Sequence, residues 1–543
     1  MAERPAAPRP SPEHPVRGLP LVDTVSVGLM STGAIAGLWL VFRVGVGMYP
    51  GANVVIAAGI ALALCAVALP FAWGMLGGSM PRSGGEYVFV SRIVHPAAGV
   101  VAGVAHLAIM VLWVFVLSPW AVDPGLVLMA DVLDAPWLHD AGDGTFFGGL
   151  SRGGAVLLVA TALNLSGLAV VIPGSRVWAP VQRIVVVVGL AGAGAVAVAF
   201  SLTDRESFIE RWDELAAAHG SLDHETFVAA AGTATGAVVP TTWTWHDTIA
   251  SAGIVTAVLG SACYLVFVAG EARRPGRDLP RASLLAVGIP ALLLVWVATA
   301  AATTVGFEFL SAAAMVDHAG GAPGYELPWR PDILALAWVA WPNTAAGLLI
   351  AVSFIAVCGW WIALTYLGFG RLLGALGLDR LGPRWFAAGG RGRRAVAVMP
   401  ALLCFLLVEA AIAVAALWRA DALSATTVIG YEVAFVWLTG AVAALAFPSA
   451  ARARGFWETS PYHRRRALGL PLVTWGGLAL LASSALSLFF LVTAPATRDD
   501  QWMAPLFAGG LLAAGILWYG FWSVWRVRTV DRWGGARNEL PPD

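Results

Sequence analysis

The 543-residue sequence contains no lysine: all 33 of its basic residues are arginine. A Walker A loop needs its lysine against the nucleotide phosphates, so this chain carries no P-loop ATPase. A lysine Schiff base to pyridoxal phosphate or retinal is excluded on the same ground. Charge of either sign is scarce, at 12% of residues, against about 25% in a soluble domain. With 59% hydrophobic residues and a mean hydropathy of +0.76, the chain cannot cover a soluble surface and reads as a polytopic membrane protein lodged in a lipid bilayer. Basic and acidic residues balance at 33 each, so nucleic acid is not an expected partner. Cys65, Cys263, Cys358 and Cys404 sit in apolar runs without a CxxC pair, and the nine His form no HExxH. No disulfide framework, metal site or cofactor is expected.

Twelve segments approach the roughly 20 apolar residues that a bilayer core requires. They cover residues 24–47, 51–76, 97–122, 153–173, 177–200, 248–270, 283–306, 343–371, 396–417, 424–447, 471–493 and 503–526. Residues 1–22, Pro-rich and without an apolar signal region, read as a disordered cytoplasmic tail, and 528–543 as a second cytoplasmic tail. With both termini inside, 26 of the 33 Arg fall on one side, including Arg391, Arg393 and Arg394. The opposite loops gather Asp and Glu. This bias predicts a multi-pass protein of the cell membrane with both termini cytoplasmic. Residues 204–218 in one outer loop predict a short amphipathic helix, read here as a solvated cap.

Two segments have weak midpoints. In the first, Ser31, Thr32, Gly33, Ala34 and Gly37 lie about halfway across at 1.5 Å per residue. In the sixth, Gly260, Ser261 and Tyr264 occupy a similar depth. Paired interruptions free backbone N–H and C=O groups for a ligand. Small residues also serve tight helix packing, and spacing alone leaves both readings open. The ionisable residues within the spans are Arg43, His106, Asp123, Glu409 and Glu432. Each is a candidate for a proton relay or an interhelical hydrogen bond. Arg43 and Asp123, near helix ends, are expected to snorkel or pair with loops. Trp113, Trp360, Trp361 and Trp437 are candidates for a cavity wall or for packing.

The loop after the second segment reads Ser79-Met80-Pro81-Arg82-Ser83-Gly84-Gly85-Glu86-Tyr87-Val88-Phe89-Val90-Ser91-Arg92, then His95-Pro96. After the sixth comes Gly270-Glu271-Ala272-Arg273-Arg274-Pro275-Gly276-Arg277-Asp278-Leu279-Pro280-Arg281. Gly370-Arg371-Leu372-Leu373, with Asp379 and Pro383, follows the eighth. These three stretches, in order, resemble the cytoplasmic loops of the amino acid–polyamine–organocation (APC) superfamily of permeases. The first two motifs are specific; segments nine to twelve agree only in number. The resemblance implies an all-α membrane fold with a five-plus-five inverted repeat, leucine-transporter-like. Repeat one would span about 23–200 and repeat two about 248–447, with two extra helices at about 471–526. It also implies that helices one and six are broken, the second near Gly260–Ser261.

The sequence departs from the family in three places. Helix one lacks the family's Gly-small-Gly followed by Ile-Phe at mid-depth. A rival register, Gly45-Val46-Gly47-Met48-Tyr49, lies too near the outer surface. The lysine that many proton-coupled members carry on helix five is replaced by Gly189. Ser353 is the lone hydroxyl candidate on helix eight for a sodium site.

The expected function is secondary active transport, by symport or antiport, of an amino acid or related small amine. The substrate carboxylate would meet N–H groups around Ser31–Gly37, and its ammonium the carbonyls near Gly260. Trp113, Tyr264 and Trp360 would close over it. Arg82, Gly84, Gly85, Glu86 and Glu271 form either a cytoplasmic gate or a rigid loop. Ser353, Glu409 and Glu432 are the candidates for a coupling proton or sodium ion. The alternatives are a polyamine or organic-cation carrier, with Glu432 or Asp123 as anionic partner, and a non-transporting sensor of the same fold. No nucleophile–base or metal constellation indicates an enzyme.

Overall fold

Twelve helices are long and apolar enough to cross a membrane in the computed structural model, which describes residues 18–387, 394–417, 422–493 and 503–529. Helices 1 to 6 are Leu21–Val46, Val54–Ser79, Pro96–Val132, Arg152–Val171, Ser175–Ser201 and Trp245–Val268. Helices 7 to 12 are Pro275–Thr304, Thr344–Leu378, Pro400–Leu417, Thr427–Ala446, Leu472–Thr493 and Pro505–Trp525. Every predicted segment coincides with one of them. Helix 7 starts earlier than hydropathy indicates, because Pro275 is suited to a first helical turn and Asp278 accepts from the Arg274 N–H. Arg391 and Arg393, the tail up to residue 17 and the tail beyond residue 529 lie outside the described residues. Residues 18–20 of the expected disordered tail are ordered: Leu19 is buried and pairs in parallel with Ala272.

The two halves of the chain interleave. Helix 1 packs on helices 5 and 7 and on the second half of helix 6. Helix 3 packs on helices 8, 9, 10 and 12, and helix 2 on helices 6, 7 and 11. Helices 1 and 6 enter from opposite faces, and each changes its winding near mid-depth. The contacts depend on small residues. A Cβ on Gly192 of helix 5 would overlap Ser353 of helix 8, and one on Gly189 would stand 2.6 Å from Val357. Without a hydrophobic drive between helices in lipid, such close approach supplies the dispersion contact that holds them. Leu158, Ile184, Leu292, Leu406 and Leu517 point outward, as lipid-facing positions should.

One face carries the Arg-rich loops, the other the acidic loops. The acidic face is capped by helices at Arg205–His219, His224–Thr235, Phe307–Ala319 and Ile333–Ala340. The first was expected as a solvated cap, and the structure corrects this. Phe208, Trp212 and Ala216, at i, i+4 and i+8, are buried, and the Trp212 ring meets Phe309 edge-on at 4.9 Å. The cap has its own aromatic core.

Candidate functional site

Helix 1 is α-helical over Leu21–Thr32 and again over Ala34–Leu40, then continues as a π-helix to Val46. Between the two pieces Gly33 has φ +63°, a left-handed conformation that costs a side-chain-bearing residue about 1–2 kcal/mol. Its N–H caps the first piece on the Met30 carbonyl at 3.0 Å. The Ser31 and Thr32 hydroxyls donate back to the carbonyls of Gly28 and Leu29, each at 2.8 Å. The second piece starts with no side-chain cap, so its first-turn N–H groups and its positive dipole end stand at the break. Helix 6 is less interrupted: it is α-helical over Trp245–Gly260 and 3-10 over Ser261–Val268.

A cavity lies against this break. Helix 1 contributes Ser31, Thr32, Gly33, Ala36, Gly37 and Leu40; helix 6 contributes Ile254, Ala257, Val258 and Ser261. Trp113, Leu117 and Trp120 of helix 3, Trp361 of helix 8, and Ile429, Gly430 and Val433 of helix 10 complete the wall. Among the described residues, no charged side chain lines it. Ser31, Thr32 and Ser261 contribute hydroxyls to it, beside the backbone of the helix 1 break. Trp113 and Trp361 stack at 5.8 Å, and Trp113 meets Trp120 edge-on at 6.5 Å. The lining runs from mid-depth toward the acidic face.

The structure brings Ser31, Thr32, Gly33, Gly37, Trp113 and Ser261 together on this wall. It does not bring Ala34, Gly260, Tyr264 or Trp360 to it. Gly260 is packed against Trp437, where a Cβ would stand 2.0 Å from the ring. Tyr264 lies behind Trp361, with ring centroids 5.2 Å apart. The Trp360 indole N–H donates instead to Gln182 at 3.3 Å, and Gln182 in turn donates to Ser26. Of the adjacent tryptophans, the second faces the cavity. Trp120 was missed although a signal existed: Trp113, Leu117 and Trp120 follow i, i+4, i+7 on one helix face. Nothing in the sequence separates Trp361 from Trp360.

The ion-coupling candidates divide. Ser353 donates to the Ile350 carbonyl at 2.8 Å and is packed against Gly192. Glu409 accepts from Thr161 and from Asn164 Nδ2, and Tyr366 donates to Asn164, so helices 4, 8 and 9 are tied together there. Glu432 is fully buried, and neither carboxylate oxygen has a hydrogen-bond partner among the described residues. Arg43 pairs with Asp317 of the acidic-face cap, and Asp123 with Arg152 at the start of helix 4, so both pair as expected of helix-end charges.

The Arg-rich end below the cavity is closed. Glu271 at the end of helix 6 pairs with Arg371 of helix 8. Tyr87 and Arg92, on the short helix Glu86–Ile93, both reach Asp379 at the end of helix 8. Gly84 and Gly85 allow the loop to approach: at φ +65° a Cβ on Gly85 would stand 2.5 Å from the Phe267 ring. Arg82, half-buried, starts this loop. Glu86 is turned inward, its Oε2 2.9 Å from His106 Nδ1 on helix 3.

The amino acid permease family model matches residues 22–512. No individual curated protein matches the sequence. The match covers all but the ends of the chain, which therefore belongs to the amino acid permease family.

Proposed function

From membership of the amino acid permease family, we propose that the protein is a secondary active transporter moving amino acids with uncharged, bulky apolar side chains across the cytoplasmic membrane. The observation that carries this reading is the cavity at the helix 1 break, walled by three tryptophans and, among the described residues, by no charged group. The substrate carboxylate binds the N–H groups that open the second piece of helix 1, beside Gly33. Its ammonium is met by carbonyl oxygens released near the break and near Ser261. The side chain lies against Trp113, Trp120 and Trp361. A polyamine would need a carboxylate in the wall. Among the described residues none lines it, and Asp123 is taken by Arg152.

The Arg bias supports placing the Arg-rich face in the cytoplasm, with both termini. Closed ion pairs at that face and a cavity directed the other way support an outward-facing arrangement. Alternating access follows if helices 1 and 6 pivot at Gly33 and Gly260. Of the sequence candidates for a coupling ion, Glu432 alone retains an unengaged carboxylate.

The test is exchange by purified protein in liposomes preloaded with apolar amino acids. Uptake of radiolabelled phenylalanine should be competed at least tenfold more strongly by leucine and tryptophan than by putrescine or arginine. Stronger competition by diamines moves the reading to an organic-cation carrier. Ligand binding without flux moves it to a sensor.

A further inference from the structure

We propose that two converging arginine clusters on the Arg-rich face form a binding surface for the headgroups of anionic phospholipids. The first cluster is on helix 7. There Arg274, Arg277 and Arg281 follow i, i+3 and i+7, and so share one helix face. The second is Arg464, Arg465 and Arg466, in the loop between helices 10 and 11. Tyr462 joins the two. Its hydroxyl donates to the Gly276 carbonyl at 2.7 Å, and the Arg465 guanidinium lies over its ring at 5.8 Å. All six arginines are exposed.

Other arginines of this face are engaged. Arg92 pairs with Asp379, Arg183 with Asp23 and Arg371 with Glu271, and Arg452 donates to the Val94 carbonyl. None of the ion pairs among the described residues takes any of the six. Arg464 donates to the His463 ring and Arg466 to the Gly469 carbonyl, and neither contact offsets charge. Asp278, the acidic residue in the first turn of helix 7, is buried and accepts from the Arg274 N–H. Like charges three and four residues apart on a helix repel. Over the first turns the helix dipole adds to them. The surplus calls for an anion from outside the chain.

Depth and apolar neighbours make that anion a lipid headgroup. Helix 7 has 30 residues, about 45 Å at 1.5 Å per residue, against an apolar core of about 30 Å. Its outward leucines begin at Leu284 and Leu285, three and four places after Arg281 on the same face. The arginine stripe therefore runs straight into the stripe that meets acyl chains. Helix 11 starts at Leu472, and just before it Arg466–Ala467 pairs antiparallel with Leu470–Pro471. The turn of that hairpin is Leu468-Gly469, at φ +49° and +80°. Asn or Gly suits its first position, and leucine is strained there. Yet Leu468 is 91% exposed and Leu470 41%. An apolar tip beside three arginines fits the boundary between headgroups and acyl chains. Neither a free phosphate nor an acidic protein segment has a use for it.

The experiment counts the lipids that the purified full chain retains, by native mass spectrometry. The mixed micelles hold phosphatidylglycerol and phosphatidylcholine in equal amounts, with the same acyl chains. Wild type should retain phosphatidylglycerol at least about fivefold over phosphatidylcholine. Arg464→Gln, Arg465→Gln and Arg466→Gln combined should lower that preference at least about threefold, as should Arg277→Gln with Arg281→Gln. Arg176→Gln, at an exposed arginine that starts helix 5, should leave it unchanged. Leu468→Asn, which suits the turn, should weaken retention of phosphatidylglycerol without lowering the melting temperature. The proposal is overturned by equal retention of the two lipids in wild type, by an unchanged preference in either folded combination, or by an equal loss with Arg176→Gln. Displacement of the lipid by an equal concentration of inorganic phosphate or of polyglutamate also overturns it, in favour of a free anion or of an acidic protein partner. If one combination does not fold, the other decides by the same readings. No reading depends on which solute is carried.

Discussion

Arg371 closes on a single carboxylate oxygen of Glu271, with Nε at 2.7 Å and Nη2 at 2.6 Å. The same guanidinium lies over the Trp178 ring at 5.8 Å. Helix 6 is thus latched to helix 8 at the Arg-rich end. Both side chains are 16–18% exposed, so solvent screening reduces the pair to about 1 kcal/mol. Glu271→Gln should raise the fraction open at that end about fivefold. Cys263, buried in the same half of helix 6, reports it: its alkylation, located by peptide mass, should quicken about fivefold. Unchanged labelling shows that the pair does not hold the closure.

The two glycines of the proposed pivots should respond differently to alanine. A Cβ on Gly33 finds space, its nearest atom at 3.5 Å, and suffers only from its positive φ. One on Gly260 collides with Trp437 at 2.0 Å, an overpacking worth about 1–3 kcal/mol. Gly260→Ala should therefore lower the melting temperature more than Gly33→Ala. Gly33→Ala should lower exchange several-fold, because the strain falls on the N–H groups at the break. The reverse order of melting temperatures refutes this division.

Trp361 and Trp360 make a second contrast. Trp361→Ala removes part of the cavity wall together with its contacts to Trp113 and Tyr264, and should raise half-saturation for phenylalanine about tenfold, about 1.4 kcal/mol. Trp360→Ala breaks a bond to Gln182, worth about 1 kcal/mol of stability, and should leave half-saturation within about twofold. Equal effects on half-saturation would put both rings at the substrate.

Asp332 in the acidic-face cap gives a pH signature. Burial pushes its carboxyl up to about 6, and the nearby Asp317 charge adds to this, against the N–H groups of Leu334 and Ala335 that it caps. The folded value exceeds the unfolded one, so the folded chain binds this proton more tightly. The stability it brings is full below about pH 4, falls as pH rises, and is gone above about 6. Asn keeps the cap without the charge. Asp332→Asn should raise the melting temperature relative to wild type by an amount that grows between pH 4.5 and 6.5 and then stays level. A difference independent of pH rejects the assignment.

Helix number and the break at Gly33 were legible in the sequence, because lipid imposes length on each span and only glycine suits the left-handed turn at mid-depth. The site was legible in part. Ser31, Thr32, Gly33 and Trp113 follow from depth and periodicity. Trp361 rather than Trp360 does not, since one residue turns a helix by 100° and hydropathy carries no rotational mark for an all-apolar helix. Nor could spacing join Glu86 to His106, which meet only because the Gly84–Gly85 turn folds the loop inward. The solvated-cap reading of residues 204–218 failed because its apolar stripe had an unseen partner at Phe309.

The strand-like pairing at Leu19 has a mechanical consequence. Its N–H donates to the Glu271 carbonyl and its own carbonyl accepts from Arg273, both at 3.0 Å. The start of helix 1 is thereby stapled to the end of helix 6, both on the Arg-rich side of the two interrupted midpoints. Two levers joined at their tips share a single degree of freedom. In the proposed transport cycle, neither half-helix should swing without the other, so a state with only one of them displaced, through which solute would leak, should be kept off the path.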